Sequence, residues 1–161
     1  MDFIEDKATI EGILRRHDWG TLAVAAETGP YMVPVNYAYV HGRIVFHCAL
    51  EGRKLDAIAA EERVCFCVAH QVGEVREHPG GKPCHVDSDS VLVFGRARVV
   101  TESDRKKLLA NAFNREFRPE AKDLADERLA SCAIVEIAID EMTARVEKGG
   151  KPTFWRCAVK K

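Results

Sequence analysis

The apolar positions of this chain change their period several times, and each change predicts an element. Ile10, Ile13 and Leu14 recur at helical spacing, with Gly20 soon afterwards as a terminator. Thr21 to Ala26 is small and apolar, Thr28-Gly29-Pro30 reads as a turn, and Tyr31 to Val40 is rich in β-branched and aromatic residues, so the pair predicts a hairpin. His41-Gly42 supplies a second turn into a further strand, Arg43 to Cys48. Leu55, Ile58 and Ala59 return to helical spacing and predict a short helix from near Arg53, followed by a buried strand, Val64 to Ala69.

Between His70 and Asp89 the periodicity disappears, and Pro79-Gly80-Gly81 among several charges predicts a long surface loop. Ser90 to Thr101 reads as a strand again, with Gly95 as a bulge or a close backbone approach. Ser103 is expected to cap a helix from Asp104 to about Phe117 that buries Leu108, Leu109, Ala112 and Phe113 and stops before Pro119. A last strand, Ala133 to Val146, alternates, and Gly149-Gly150 is expected to release a tail, Lys151 to Lys161. About six strands in hairpin-like succession, with helices inserted irregularly, predict an antiparallel β-barrel with peripheral helices. The fold class is thus mainly β, in one domain spanning residues 1–161. No Gly-rich phosphate loop competes with that reading.

Composition bounds the partners. At 161 residues, 47% hydrophobic and 30% charged, the chain is long enough for a core without staples and is not of the disordered class. A net charge of −1 with mixed signs gives no footprint for nucleic acid or an anionic membrane. The acidic start, Met1 to Asp6, has no apolar h-region, and no run approaches the roughly 18 apolar residues of a membrane helix, so a cytoplasmic protein is expected. The six cysteines are then expected to be reduced, with Cys65 and Cys67 acting as small hydrophobes around Phe66. No metal is expected, because no paired C-x-x-C spacing occurs and His70, His78 and His85 match no ligand signature.

The stretch Phe46-His47-Cys48-Ala49-Leu50-Glu51-Gly52-Arg53-Lys54-Leu55-Asp56 carries the candidate chemistry. Two cations open a helix there, against its dipole, at about 0.3–1 kcal/mol each. Either an anion such as a phosphate compensates them, received by the fork of Arg53, the ammonium of Lys54 and free backbone N–H groups, or they stand on a solvated face beside Asp56, Glu61 and Glu62.

That stretch, with Pro30-Tyr31-Met32-Val33-Pro34-Val35-Asn36-Tyr37 before it, Arg63-Val64-Cys65-Phe66 after it and the later Ser90-Val91-Leu92-Val93-Phe94-Gly95-Arg96-Ala97, resembles the pyridoxamine 5'-phosphate oxidase-like flavoproteins, and among them the nitroimidazole-resistance (Nim) branch. The resemblance implies an FMN-binding split β-barrel that works as a homodimer, with FMN at the subunit interface. By position, Val33, Pro34, Val35, Asn36 and Tyr37 would run beside the flavin ring and His47 and Cys48 would lie near it. Arg53 and Lys54 would hold the phosphate, and Ser90 would reach the cofactor across the dimer. The substrate would be a small molecule. The set of basic and hydroxyl side chains that the oxidase branch uses for vitamin B6 has no match here, and Asp89 stands where the Nim branch would place an aromatic residue.

His47 is either a proton-handling residue facing a substrate, the one catalytic candidate, or a hydrogen-bonded wall residue. Trp155 either stacks on the flavin or anchors the tail in the core. The function that the resemblance implies is an FMN-dependent reductase passing electrons from a nicotinamide or other donor to a nitroaromatic or quinone. The alternative is a flavin- or haem-binding carrier, store or redox sensor without catalysis.

Overall fold

The computed structural model describes residues 3–78 and 82–159, and the side chains of all of these except 74–78 and 82–85. Eight strands form one antiparallel sheet in the order β2-β1-β5-β6-β7-β4-β3, with β8 beside β7. The strands are β1 (Trp19–Ala26), β2 (Gly29–Asn36), β3 (Ala38–Val40), β4 (Arg43–Cys48), β5 (Arg63–His78), β6 (Lys82–Val99), β7 (Ala133–Lys148) and β8 (Lys151–Ala158). The helices are α1 (Lys7–Arg16), α2 (Arg53–Ala60), α3 (Ser103–Phe117) and α4 (Asp126–Ala130). None is long and apolar enough to cross a membrane. The expected mainly β barrel with peripheral helices is what the chain forms.

The two ends of this sheet, β2 and β3, are consecutive in sequence and separated only by Tyr37. The sheet must therefore roll until its edges meet, which makes a barrel that is joined by the chain at Tyr37 and split below it. The run expected as one strand, Tyr31 to Val40, is divided at this corner. The Tyr37 N–H donates to the Asp18 carbonyl at 2.8 Å and its hydroxyl to the Leu14 carbonyl at 2.8 Å, so α1 and the corner hold one another.

Inside the roll, Leu22, Phe66, Val93, Phe46 and Ile137 pack with Ile10, Ile13 and Leu14 of α1. A second core lies outside it, where α3 and α4 cover Val40, Val45 and Ile134 with Leu109, Phe113 and Leu129. Strands β3, β4 and the start of β7 are thus buried on both faces, so the alternation expected of Ala133 to Val146 in burial sets in only after Ile137.

Three features depart from expectation. The segment 70–89 is mostly strand: β5 and β6 continue as a long ribbon, paired as far as His78 with Lys82, and residues 79–81 lie outside the described ones. Gly149 and Gly150 do not release a tail but form a two-residue turn, with φ of 60° and 76°, that sends β8 back along β7. Trp155, carried on β8, packs against the inner core, as the anchoring alternative expects. The cap of α3 is Glu102, with no side-chain capping bond, and Leu108 faces solvent at 53% exposure while Leu109 is buried.

Gly95 meets both expectations. The pairing slips there, from Phe94 opposite Glu141 to Gly95 opposite Ile139, and a Cβ on Gly95 would lie 2.1 Å from the Ala138 carbonyl oxygen. At this bulge β7 changes its other neighbour, from β4 along Ala133–Ala138 to β8 along Glu141–Lys148.

Candidate functional site

An open groove of about 510 Å³ runs along the split, between the end of β2 and the end of β4. Pro34, Val35 and Asn36 form one wall, His47, Cys48 and Ala49 the other, and Lys54 enters from α2. The two strands face each other here without pairing, since β2 pairs with β1 while β4 pairs with β3 and β7. Pro34 fits this edge because it has no N–H to offer a further strand.

Lys54 is brought to the groove by the start of α2. Gly52 has φ of 133°, a region closed to other residues, and its carbonyl accepts from the Leu55 N–H at 2.8 Å. The chain thereby turns off β4 into a helix whose first N–H groups have no intrahelical partner. Lys54 is half-buried. Burial pushes the Cys48 thiol upward, the charge of Lys54 opposes that shift, and Cys132 adds to it.

Arg53 points elsewhere. Its Nη2 donates to Thr28 Oγ1 at 2.8 Å and its guanidinium lies 4.5 Å from the ring centroid of Tyr31. The aromatic face offsets part of the cost of a cation at a helix N-terminus.

His47 follows Val45 onto the outer side of β4, where its ring meets Phe113 edge-on at 5.2 Å. It lines both the groove and a second cavity of about 310 Å³ under α3 and α4, and Ser131 and Cys132 also line both. An exposed imidazole between two cavities is placed to exchange a proton with a ligand in either.

The structure brings together Pro34, Val35, Asn36, His47, Cys48 and Lys54. Val33 packs half-buried against the inner core. Asn36 Nδ2 donates to the Asp18 carbonyl at 2.7 Å, which holds its side chain against the β1 start. Tyr37 stands behind the groove, fully buried, its ring 5.1 Å from Phe66; burial pushes its hydroxyl far up. Ser90 lies on the outer face of the sheet, where its hydroxyl donates to the Arg145 carbonyl at 3.3 Å.

Trp19, Ser131 and Cys132 complete the groove and were not expected. Only the pairing of Cys48 with Ala133 brings Cys132 there, and no local signal in the sequence carries that pairing.

Asp89 does not sit in a loop. It is buried on β6, where Arg16 Nη2 donates to it at 2.6 Å and His17 Nε2 lies 3.5 Å away. His17 stacks on His70 with centroids 4.0 Å apart, and burial together with His70 lowers its pKa against the pull of Asp89. Among the described residues no group of three or more side chains could hold a metal ion, and the side chains of His78 and His85 lie outside them. The five described cysteines are free.

Curated protein sequences give no match. Among solved structures, a candidate 5-nitroimidazole antibiotic resistance protein from Bacteroides thetaiotaomicron superposes with a TM-score of 0.77 at 22% identity, covering 89% of this chain and 85% of that one. An FAD and heme binding protein from Mycobacterium smegmatis gives 0.77 at 18%, covering 96% and 83%. The flavocytochrome Anf3 from Azotobacter vinelandii gives 0.76 at 15%, covering 98% and 80%. At these identities the likeness is one of fold. The sequence profile described as pyridoxamine 5'-phosphate oxidase, however, matches residues 6–146, nearly the whole of the sheet and all four helices. With the split barrel, the groove and that match in agreement, the chain belongs to the pyridoxamine 5'-phosphate oxidase family.

Proposed function

We propose that this protein binds FMN in the groove between β2 and β4 and uses it as a homodimeric reductase of a small electrophile such as a nitroaromatic or quinone. The observation that carries the reading is the meeting of Lys54 and the N-terminus of α2 with a groove walled by Pro34, Val35 and Trp19. One end offers donors and positive charge to a phosphate, and the other offers apolar surface to a planar ring. A bound flavin supplies one- and two-electron transfer. This chain's residues would hold the phosphate, confine the ring and, at His47, hold or release a proton. Arg53 would have to swing from Tyr31 to join Lys54.

Two of the structural neighbours are named for FAD with heme and as a flavocytochrome, and an exposed His47 in the groove suits an iron ligand as well as a proton carrier. The absorption spectrum of the purified protein separates flavin bands from a Soret band. Titration with FMN, FAD and riboflavin is the direct test. FMN should bind most tightly, and equal affinity for riboflavin, which lacks the phosphate, would remove the role given to Lys54. Oxidation of a reduced nicotinamide only when an electrophile is present distinguishes the reductase from a flavin carrier.

The second subunit is part of the proposal. Met32, Ala23, Cys65 and Phe94 form one row across the outer face of four strands, and Pro34, Thr21, Cys67 and Leu92 form the next. Met32 is 64% exposed, Phe94 42% and Leu92 38%. A second copy pairing through this face would cover it and bring its own Ser90 toward the groove of the first. The cytoplasm, where free thiols persist, is the compartment that fits.

A further inference from the structure

The cavity under α3 and α4 differs in chemistry from the groove it adjoins. Phe113, Leu124 and Ile134 give it apolar walls, and His47, Asn114 and Arg128 give it polar ones. Among the described residues no carboxylate lines it. Arg128 has no ion pair among the described residues, in contrast to most arginines of this chain: Arg16 is bound to Asp89, Arg105 to Glu136 and Arg115 to Asp123. Nearby Asp126 is engaged by Lys107 at 3.9 Å. The Asn114 side chain likewise has no hydrogen-bond partner among the described residues, whereas buried Asn111, one helical position row away, is satisfied by the Leu124 N–H at 2.8 Å. Asn111 thereby fixes the loop that forms one cavity wall and leaves Asn114 to serve what enters. The polar lining is biased toward donors, and its one full charge is positive.

We propose that this cavity binds a small planar carboxylic acid, its ring beside Phe113 and its carboxylate received by Arg128 and Asn114. A guanidinium matches a carboxylate with two parallel N–H donors, and a flat aromatic wall suits a flat ligand. A volume of about 310 Å³ admits a single substituted ring. The far end of such a ligand meets His47, which also faces the groove. That a nitro group or quinone ring carried by such an acid takes electrons from a flavin in the adjoining groove rests on the reductase reading; that the acid binds does not.

The probes are 4-nitrobenzoate and the uncharged 4-nitrobenzamide, titrated calorimetrically into flavin-free and FMN-loaded protein. The acid should bind about tenfold or more tightly than the amide, and the imidazole resonances of His47 should shift with it. In Arg128→Gln the acid should fall to the level of the amide, and Arg128→Lys should restore part of the preference. Because Arg128 is exposed and has no ion pair among the described residues, both variants should melt close to the wild type. Equal affinity for acid and amide, a preference that survives Arg128→Gln, or no binding of either at millimolar concentration would overturn the proposal. If the acid binds and FMN does not, the cavity stands and the reductase reading falls; if FMN binds and the acid does not, the reverse holds.

Discussion

Lys54 and Arg53 are adjacent and equally charged, yet the fold has given them different surroundings, and their substitution should separate accordingly. Lys54→Ala should weaken FMN by roughly ten- to a hundredfold, the loss of a charge-assisted hydrogen bond of about 1.5–3 kcal/mol, with the flavin-free protein no less stable because a cation has left a helix N-terminus. Flavin fluorescence titration with parallel melting curves measures both. Glu136 is the opposite kind of residue, a carboxylate 2% exposed among Arg98, Arg105 and Arg43. Burial raises its pKa, and the guanidinium groups of Arg105, Arg43 and Arg98 together outweigh this and leave it below the ordinary value. A group depressed in the fold stabilises fully above its unfolded value and loses that contribution as pH falls through the folded one. Glu136→Gln should cost about 3–5 kcal/mol in urea unfolding at neutral pH, the penalty of breaking a buried charge cluster, and the gap to the wild type should narrow progressively as pH falls below the ordinary glutamate value and through the depressed folded one. The motif around Arg53 and Lys54 was readable in the chain because it is contiguous. The Glu136 cluster was not, because Arg43, Arg98, Arg105 and Glu136 come from four elements that meet only in the rolled sheet.

Elements were legible where one local rule governs them and were missed where two rules share a signature. Gly95 inside an apolar strand signals either a bulge or a close approach, and it serves as both, so either expectation leads to the same place. Gly95→Ala should cost on the order of 3 kcal/mol or more, since the obstacle is the Ala138 carbonyl and not a movable side chain. Gly12→Ala is the control: a Cβ there meets nothing within 4 Å, and the exchange should raise stability by up to about 1 kcal/mol because α1 loses a helix-weakening glycine. Urea midpoints of the two variants decide the matter. A Gly-Gly pair, by contrast, ends a strand equally well by freeing the chain or by turning it, and Lys151–Ala158 lacks the alternation that would have marked β8. The ribbon of β5 and β6 was missed for a related reason: beyond the barrel it has no core to alternate against. Five-residue α4 is too short to show a period at all.

At the scale of the whole molecule, the outer rows around Met32 and Phe94 call for a cover, and a two-fold pairing would set each row against its own copy. Phe94→Glu should then place like charges face to face and yield a monomer, whereas the wild type should sediment near twice 18.0 kDa. If the groove is completed by the second subunit, the same substitution should also release FMN without touching a groove residue; a monomer that keeps FMN tightly would refute the shared site. The split between β2 and β4 has a mechanical corollary. Elsewhere in the sheet, moving two neighbouring strands apart would break a ladder of hydrogen bonds, but these two share no ladder and are joined only through the corner at Tyr37. The barrel thus contains an expansion joint, a gap lined by Val35, Cys48 and Trp19 that no backbone pairing between β2 and β4 closes. Exchanging those three side chains for larger or smaller ones should change the thickness of ligand the joint accepts while the rest of the cylinder stays in register.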